Sequence, residues 1–220
     1  MPLPVLTVKT TAITSPWNSD KYVLRKLQVK EQKQFEDFKN EKVPAHQLRL
    51  YGKIISECIL EPKDLVIESK TSSEVEFCLF HILKFSGHDL PFTLVRAEGN
   101  LKDVEVKLEA TIGCTFRHAT LDDLAFLTSQ NLKTESDITR GLLAKTLVSS
   151  YNQDTVYKAG KDFSFKEVFE WIGTIDLDVQ RDVLLTKIAA EAPKLVFEVN
   201  GQEVIGLFNV MSLIAQEKKD

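Results

Sequence analysis

Two pairs of soft-donor residues are the first candidates for chemistry: Cys78-x-x-His81 and Cys114-x-x-x-His118. Thiolate and imidazole are the donors zinc takes in a tetrahedron. Their setting argues against a metal. Cys78 and His81 stand inside an apolar helical pattern, and the spacing between the pairs matches no familiar zinc module. Two core cysteines, a packed helix histidine and a loop histidine account for them. Gly160-Lys161 fails as a phosphate loop, because Thr155 and Asp162 stand where that motif needs a glycine and a hydroxyl. The carboxylates Asp122 and Asp123, and the trio Asp176, Asp178 and Asp182, sit at helix starts, where the macrodipole alone favours negative charge. His88-Asp89 reads as a polar turn. No nucleophile elbow, dinucleotide glycine fingerprint or HExxH is present. The expectation is no catalytic residue, no metal ligand and no cofactor.

Composition narrows the classes further. The 220 residues are 43% hydrophobic and 27% charged, with a net charge of −4. That balance is ordinary for a globular chain and gives no basic stripe with which to displace counterions from nucleic acid. No apolar run reaches the roughly 18 residues a membrane helix needs. Met1 to Val5 lacks the charged and apolar regions of a signal peptide. Three widely spaced cysteines fit a reducing cytoplasm better than a disulfide framework. Thirteen phenylalanines against four tyrosines imply a generous core, or an apolar surface that a partner covers.

The elements that must position these residues follow from periodicity and punctuation. Val5 to Thr14 and Lys21 to Val29 read as strands around the turn cluster Ser15 to Asp20. A short surface helix spans Lys30 to Asn40, and Pro44 opens a longer one striped by Leu48, Tyr51, Ile54, Ile55, Cys58 and Ile59. Thr71-Ser72-Ser73-Glu74 has capping-box spacing and opens a helix, apolar nearly all round, that Gly87 stops. Pro91 to Arg96 is a strand candidate, and Val104 to Ile112 alternates as a half-buried strand. Beyond His118 the pattern turns helical: Thr120 to Gln130, Asp137 to Ser149, a polar loop over Asn152 to Lys161, and a helix opened by Ser164 and Glu167. A long helix from Asp176 then ends at Pro193. Lys194 to Val199, Asn200-Gly201 and Gln202 to Ile205 spell a tight hairpin, followed by an apolar helix from Leu207 to Ala215.

The expected fold is α+β: an N-terminal antiparallel sheet with helices on one side, then a mostly helical C-terminal part with a β-hairpin. The expected domains are 1–118 and 119–220.

Several segments resemble the T4-type phage baseplate hub assembly proteins. They are the head Met1-Pro2-Leu3-Pro4-Val5-Leu6-Thr7-Val8, the segment Lys26-Leu27-Gln28-Val29-Lys30-Glu31-Gln32-Lys33, and the helix end Ile55 to Leu60. Asp64 to Ile67, Val75 to Phe80 and Val104 to Leu108 follow in order. Near the end, Ala192-Pro193-Lys194-Leu195-Val196-Phe197 and Glu203 to Met211 resemble the family's closing strand, hairpin and short helix. The chain departs from the family at Leu24-Arg25-Lys26-Leu27, where members often carry a Tyr-Arg-Pro-Phe type segment. It departs again at Asn200-Gly201, where some carry a Cys-x-x-Cys ribbon.

The resemblance implies a non-catalytic assembly factor that binds baseplate hub proteins in the host cytoplasm during contractile-tail assembly. A structural hub component retained in the virion baseplate is the alternative, and a metal-dependent enzyme has only the Cys/His pairs behind it. Partners are hub proteins, with no nucleic acid and no membrane, and homo-oligomerisation stays open. The surplus of apolar residues in the closing hairpin and helix marks the expected protein-binding surface: Leu195, Val196, Phe197, Val199, Val204, Ile205, Leu207, Phe208 and Met211.

Overall fold

The computed structural model describes residues 8–38, 44–176 and 184–217. The elements run β1 (Thr10–Thr14), β2 (Lys21–Arg25), α1 (Val29–Phe38), α2 (Pro44–Cys58), β3 (Ile59–Glu61), α3 (Ser72–Ser86), β4 (Thr93–Glu98), β5 (Val104–Lys107), β6 (Ile112–Phe116), α4 (Leu121–Ser129), α5 (Glu135–Thr146), β7 (Leu147–Asn152), β8 (Thr155–Lys158), α6 (Phe165–Ile172), α7 (Thr186–Glu191), β9 (Lys194–Val199), β10 (Gln202–Ile205) and α8 (Leu207–Glu217). They form three antiparallel sheets, ordered β1-β2-β3, β10-β9-β4 and β5-β6-β7-β8. Two compact units result, one made of Met1–Glu98 and Lys194–Asp220, the other of Gly99–Pro193. The chain leaves the first unit after β4 and re-enters it at β9. At this crossing Gly99 has a φ of +76°, and a side chain there would collide with the carbonyl of Ala192.

The class is α+β, but the expected arrangement is corrected: the C-terminal part is not mostly helical. Leu147 to Asn152 leaves the end of α5 as a strand, and Thr155 to Lys158 returns beside it where the sequence suggests a polar loop. These two strands join β5 and β6 in one four-stranded sheet. Val148 to Tyr151 carries β-prone residues, yet nothing local separates it from the preceding helical stripe; pairing of Cys114 with Ser150 and of Thr115 with Ser149 decides the matter. The single strand expected over Val104 to Ile112 is also corrected: β5 ends at Lys107, residues 108–111 turn, and Ile112 begins β6, which returns with Cys114 opposite Val106. Residue 118, where the change in periodicity falls, lies just beyond β6 inside the second unit.

Local signals act where the chemistry predicts. In α3 the Thr71 side chain accepts from the Glu74 N–H while the Glu74 carboxylate accepts from the Thr71 N–H, and Gly87 closes the helix at φ 88°. The same reciprocal cap opens α4 at Thr120 and Asp123, and α6 at Ser164 and Glu167. Asn200 and Gly201 take φ of 51° and 80°, the mirror-image turn that a two-residue hairpin needs. The long helix expected from Asp176 falls partly on residues 177–183, outside those described; its described end is α7.

In the first unit α3 is buried on most of its circumference through Val75, Phe77, Cys78, Leu79, Phe80, Ile82 and Leu83. In the second unit Val104, Val106, Cys114 and Phe116 of the sheet pack on Leu143, Leu147, Val168, Ile172 and Leu184.

Each unit also contains one arginine–carboxylate fork of the same design. Arg25, the last residue of β2, donates to Glu31 at 2.9 and 2.8 Å and to the Lys26 carbonyl at 3.0 Å. Glu31 accepts in addition from the Gln28 N–H at 2.6 Å, at the entrance to α1. Arg117, following β6, donates to Asp123 at 2.5 and 2.8 Å and to the His118 carbonyl at 3.2 Å. Asp123 accepts from the Thr120 N–H at 2.9 Å, at the entrance to α4. In both, the carboxylate six residues on caps a helix while the guanidinium holds that helix to the strand before it.

The Glu31 side chain is fully buried, and the Arg25 fork holds its carboxyl down at about 2. Replacing Glu31 with Ala strands a buried guanidinium and should cost about 3–5 kcal/mol in urea unfolding. Because the folded value lies below the ordinary 4.5, this stabilisation is full above pH 4.5 and fades as the pH falls toward 2. Glu31→Gln should therefore lose less stability than the native chain over that interval.

Candidate protein-binding surface

The nine residues marked by the closing hairpin and helix do not share one face. β9 is the central strand of its sheet, hydrogen-bonded to β4 on one side and β10 on the other. Leu195, Phe197 and Val199 are buried, and Phe197 meets Phe80 and Phe92 edge-on at 5.4 and 5.6 Å. Val196 lies on the opposite face and is also buried. Over that face Arg96 of β4 reaches across β9 to Glu203 of β10 in a two-pronged pair at 2.5 and 2.8 Å. Leu207 is buried at the start of α8. Val204, Phe208 and Met211 are half-buried, with Phe208 stacked on Tyr51 at 5.3 Å, and Ile205 is 53% exposed. The accessible part of the set is thus Val204, Ile205, Phe208 and Met211.

A buried carboxylate seats α8. Glu76, on the α3 face turned toward that helix, accepts the backbone N–H groups of Leu207 at 3.1 Å and Phe208 at 3.4 Å. Gly206, with φ of +85°, brings the backbone against the carboxylate oxygens. The unpaired N–H groups and the positive end of the helix dipole favour a negative partner. Burial outweighs them and pushes Glu76 up to about 7.

The soft-donor pairs occupy ordinary core positions. Cys78 is buried in α3, and His81 lies edge-on to Phe77 and Phe80 at 4.5 and 5.2 Å. Cys114 is buried in β6, and His118 is buried with no hydrogen-bond partner for its Nε2 among the described residues. Burial pushes the thiols of Cys58, Cys78 and Cys114 up to about 12, so none is a ready thiolate nucleophile at neutral pH. No cluster of three or more His, Cys, Asp or Glu groups suited to a metal forms among the described residues. No helix among them is long and apolar enough to cross a membrane.

One apolar site is not evident in the sequence pattern. A groove of about 320 Å³ lies between the β6–β8 sheet and α6, lined by Ile112, Leu147, Tyr151, Tyr157, Phe163 and Trp171 among others. Tyr157 and Phe163 contact each other at 5.5 Å and are each 37% exposed. The signal that could have found it is Val156-Tyr157 followed by Phe163, aromatic and β-branched residues inside an otherwise polar stretch.

Both units present partly exposed apolar side chains among the described residues. Residues 7–202 match the family model described as T4 bacteriophage base plate protein, and the chain belongs to that family. No curated protein and no solved structure matches it. Membership places it among baseplate proteins of T4-type phages, a family suited to structural or assembly roles in company with other baseplate proteins.

The Glu76 seat carries a pH signature. The folded protein holds this proton from the ordinary 4.5 up to about 7, whereas the unfolded chain releases it above 4.5. Stability assigned to this group is therefore full below pH 4.5 and falls as the pH rises toward 7, by on the order of 3 kcal/mol. Glu76→Gln keeps an acceptor for the two N–H groups but cannot ionise. The difference in unfolding free energy between native and Glu76→Gln proteins should shift in favour of the variant from pH 4.5 to 7; a constant difference would refute the assignment.

Proposed function

We propose that the chain is a non-catalytic assembly factor that binds baseplate hub proteins in the host cytoplasm and shields their apolar surfaces until the next subunit arrives. The observation that carries this reading is the family match across residues 7–202. The exposed apolar side chains on both units are consistent with a binding role. Of the surface expected from the closing hairpin and helix, Val204, Ile205, Phe208 and Met211 are the members able to touch a partner without unfolding β9.

A second reading, a structural component retained in the virion baseplate, fits the family description equally well. The two differ in stoichiometry. A transient factor is abundant in infected lysate and depleted from purified particles, whereas a component is recovered from particles in fixed ratio to other baseplate proteins.

The contact surface is checked by co-purification with hub proteins. Ile205→Asp combined with Met211→Asp should weaken hub capture about tenfold or more while leaving the circular-dichroism spectrum unchanged, as expected when central apolar contacts are lost. Tyr157→Asp with Phe163→Asp probes the groove of the second unit in parallel. If only the second pair reduces capture, the hairpin and α8 are not the contact surface.

A further inference from the structure

The six strands at sheet edges are treated unequally. An open edge exposes a row of N–H and C=O groups that can pair with another chain, and proteins normally blunt it. β3 has three residues and runs into Pro62. β4 is bulged between Leu94 and Arg96, and the Trp17 indole N–H occupies its Glu98 carbonyl at 2.9 Å. The Asn209 amide takes the Ile205 carbonyl of β10 at 2.7 Å, and Glu203 charges the same edge. The Lys187 ammonium occupies the Glu105 carbonyl of β5. The Asp162 carboxylate accepts the Lys158 N–H of β8 at 2.7 Å.

Among the described residues β1 carries none of these devices. Ser15 donates to the Asp20 carbonyl at 2.8 Å, so alternation along the β1–β2 ladder turns Thr11 and Ile13 inward to β2. The N–H and C=O groups of Thr10, Ala12 and Thr14 then face outward, with no partner among the described residues. All three residues are exposed, and the strand is uncharged, without proline or bulge in its pairing with β2. Its residues, Thr-Thr-Ala-Ile-Thr, are mostly β-branched.

We propose that β1 pairs with the β1 of a second copy of this chain, antiparallel and centred on Ala12, joining two three-stranded sheets into one. The strand is its own complement in this register. Thr10 faces Thr14 of the second copy, Thr11 faces Ile13, and Ala12 faces Ala12, the small residue standing on the two-fold axis. Each outward residue meets another outward residue, so the Thr10–Thr14, Ala12–Ala12 and Thr14–Thr10 pairs each exchange two backbone hydrogen bonds. No like charges oppose one another along the strand. Lys9 comes opposite the uncharged Ser15 of the second copy. A five-residue pairing is small, so the association belongs among weak, concentration-dependent ones.

The readout is the mass of the pure full chain, with no other protein present, and so does not rest on baseplate binding. Sedimentation from about 1 to 100 µM should show the average mass rising toward twice that of one chain. Ala12→Pro removes an N–H that β2 does not use and should restore the single-chain mass throughout. Thr10→Lys with Thr14→Lys, both at exposed positions, sets lysine opposite lysine and should abolish pairing. Thr10→Lys with Thr14→Glu sets lysine opposite glutamate and should retain it, a contrast that holds even if the proline variant misfolds. A single-chain mass for the native protein at the highest concentration overturns the proposal, as does equal pairing by the two charge variants. So does a native protein that is monomeric alone but loses hub capture on Ala12→Pro, since β1 would then serve a different partner.

Discussion

The arginine–carboxylate fork is the constraint on which the register of each unit depends. A strand that ends must hand the chain to a helix without leaving that helix's first N–H groups unpaired. Glu31 and Asp123 meet this need, and each does so as a charge that cannot stand alone in a dry site. Arg25 and Arg117 neutralise them from the strand side, so the angle between strand and helix becomes part of the electrostatic solution. The carboxylate is cap and counter-ion at once. The same geometry stands in both units, six residues from arginine to acid, although their sheets and cores differ.

Burial of a second kind of carboxylate organises the closing segment. Among the described residues Glu76 is met by two N–H groups and a helix dipole rather than by a cation, and desolvation wins. Unlike Glu31, it is held against ionisation. The contrast follows from chemistry: a guanidinium fork supplies full charge and two directed donors, whereas a helix end supplies partial charges. α8 therefore rests on α3 through a group whose charge state is set by the burial that the contact creates.

The sheets separate core from contact surface. Because β9 is central, its apolar residues hold the first unit together, and the closing segment leaves outside Ile205 with half-buried neighbours on β10 and α8. In the second unit the opposite holds: β8 is exposed along its length, and its aromatic residue lines a groove with α6. A baseplate protein must meet other subunits without meeting every strand in the cell. Side chains placed on four of the edge strands, and the shortness of β3 before Pro62, are a physical means to that selectivity.

By itself the sequence determined the events that close within a few residues. The caps at Thr71, Thr120 and Ser164, the stop at Gly87 and the turn at Asn200-Gly201 depend on hydrogen bonds and backbone angles local to those positions, so their residue types suffice to place them. The run Met1 to Met211 also held enough likeness to point to a baseplate family. Only the tertiary structure decided what pairs with what. Val148 to Tyr151 became a strand because β6 offered it a ladder, and Val196 was buried because β4 and β10 flank its strand and Arg96 reaches over it. An apolar residue looks the same in sequence whether it fills a core or awaits a partner. That distinction belongs to its neighbours in space, which are chosen by contacts far apart along the chain.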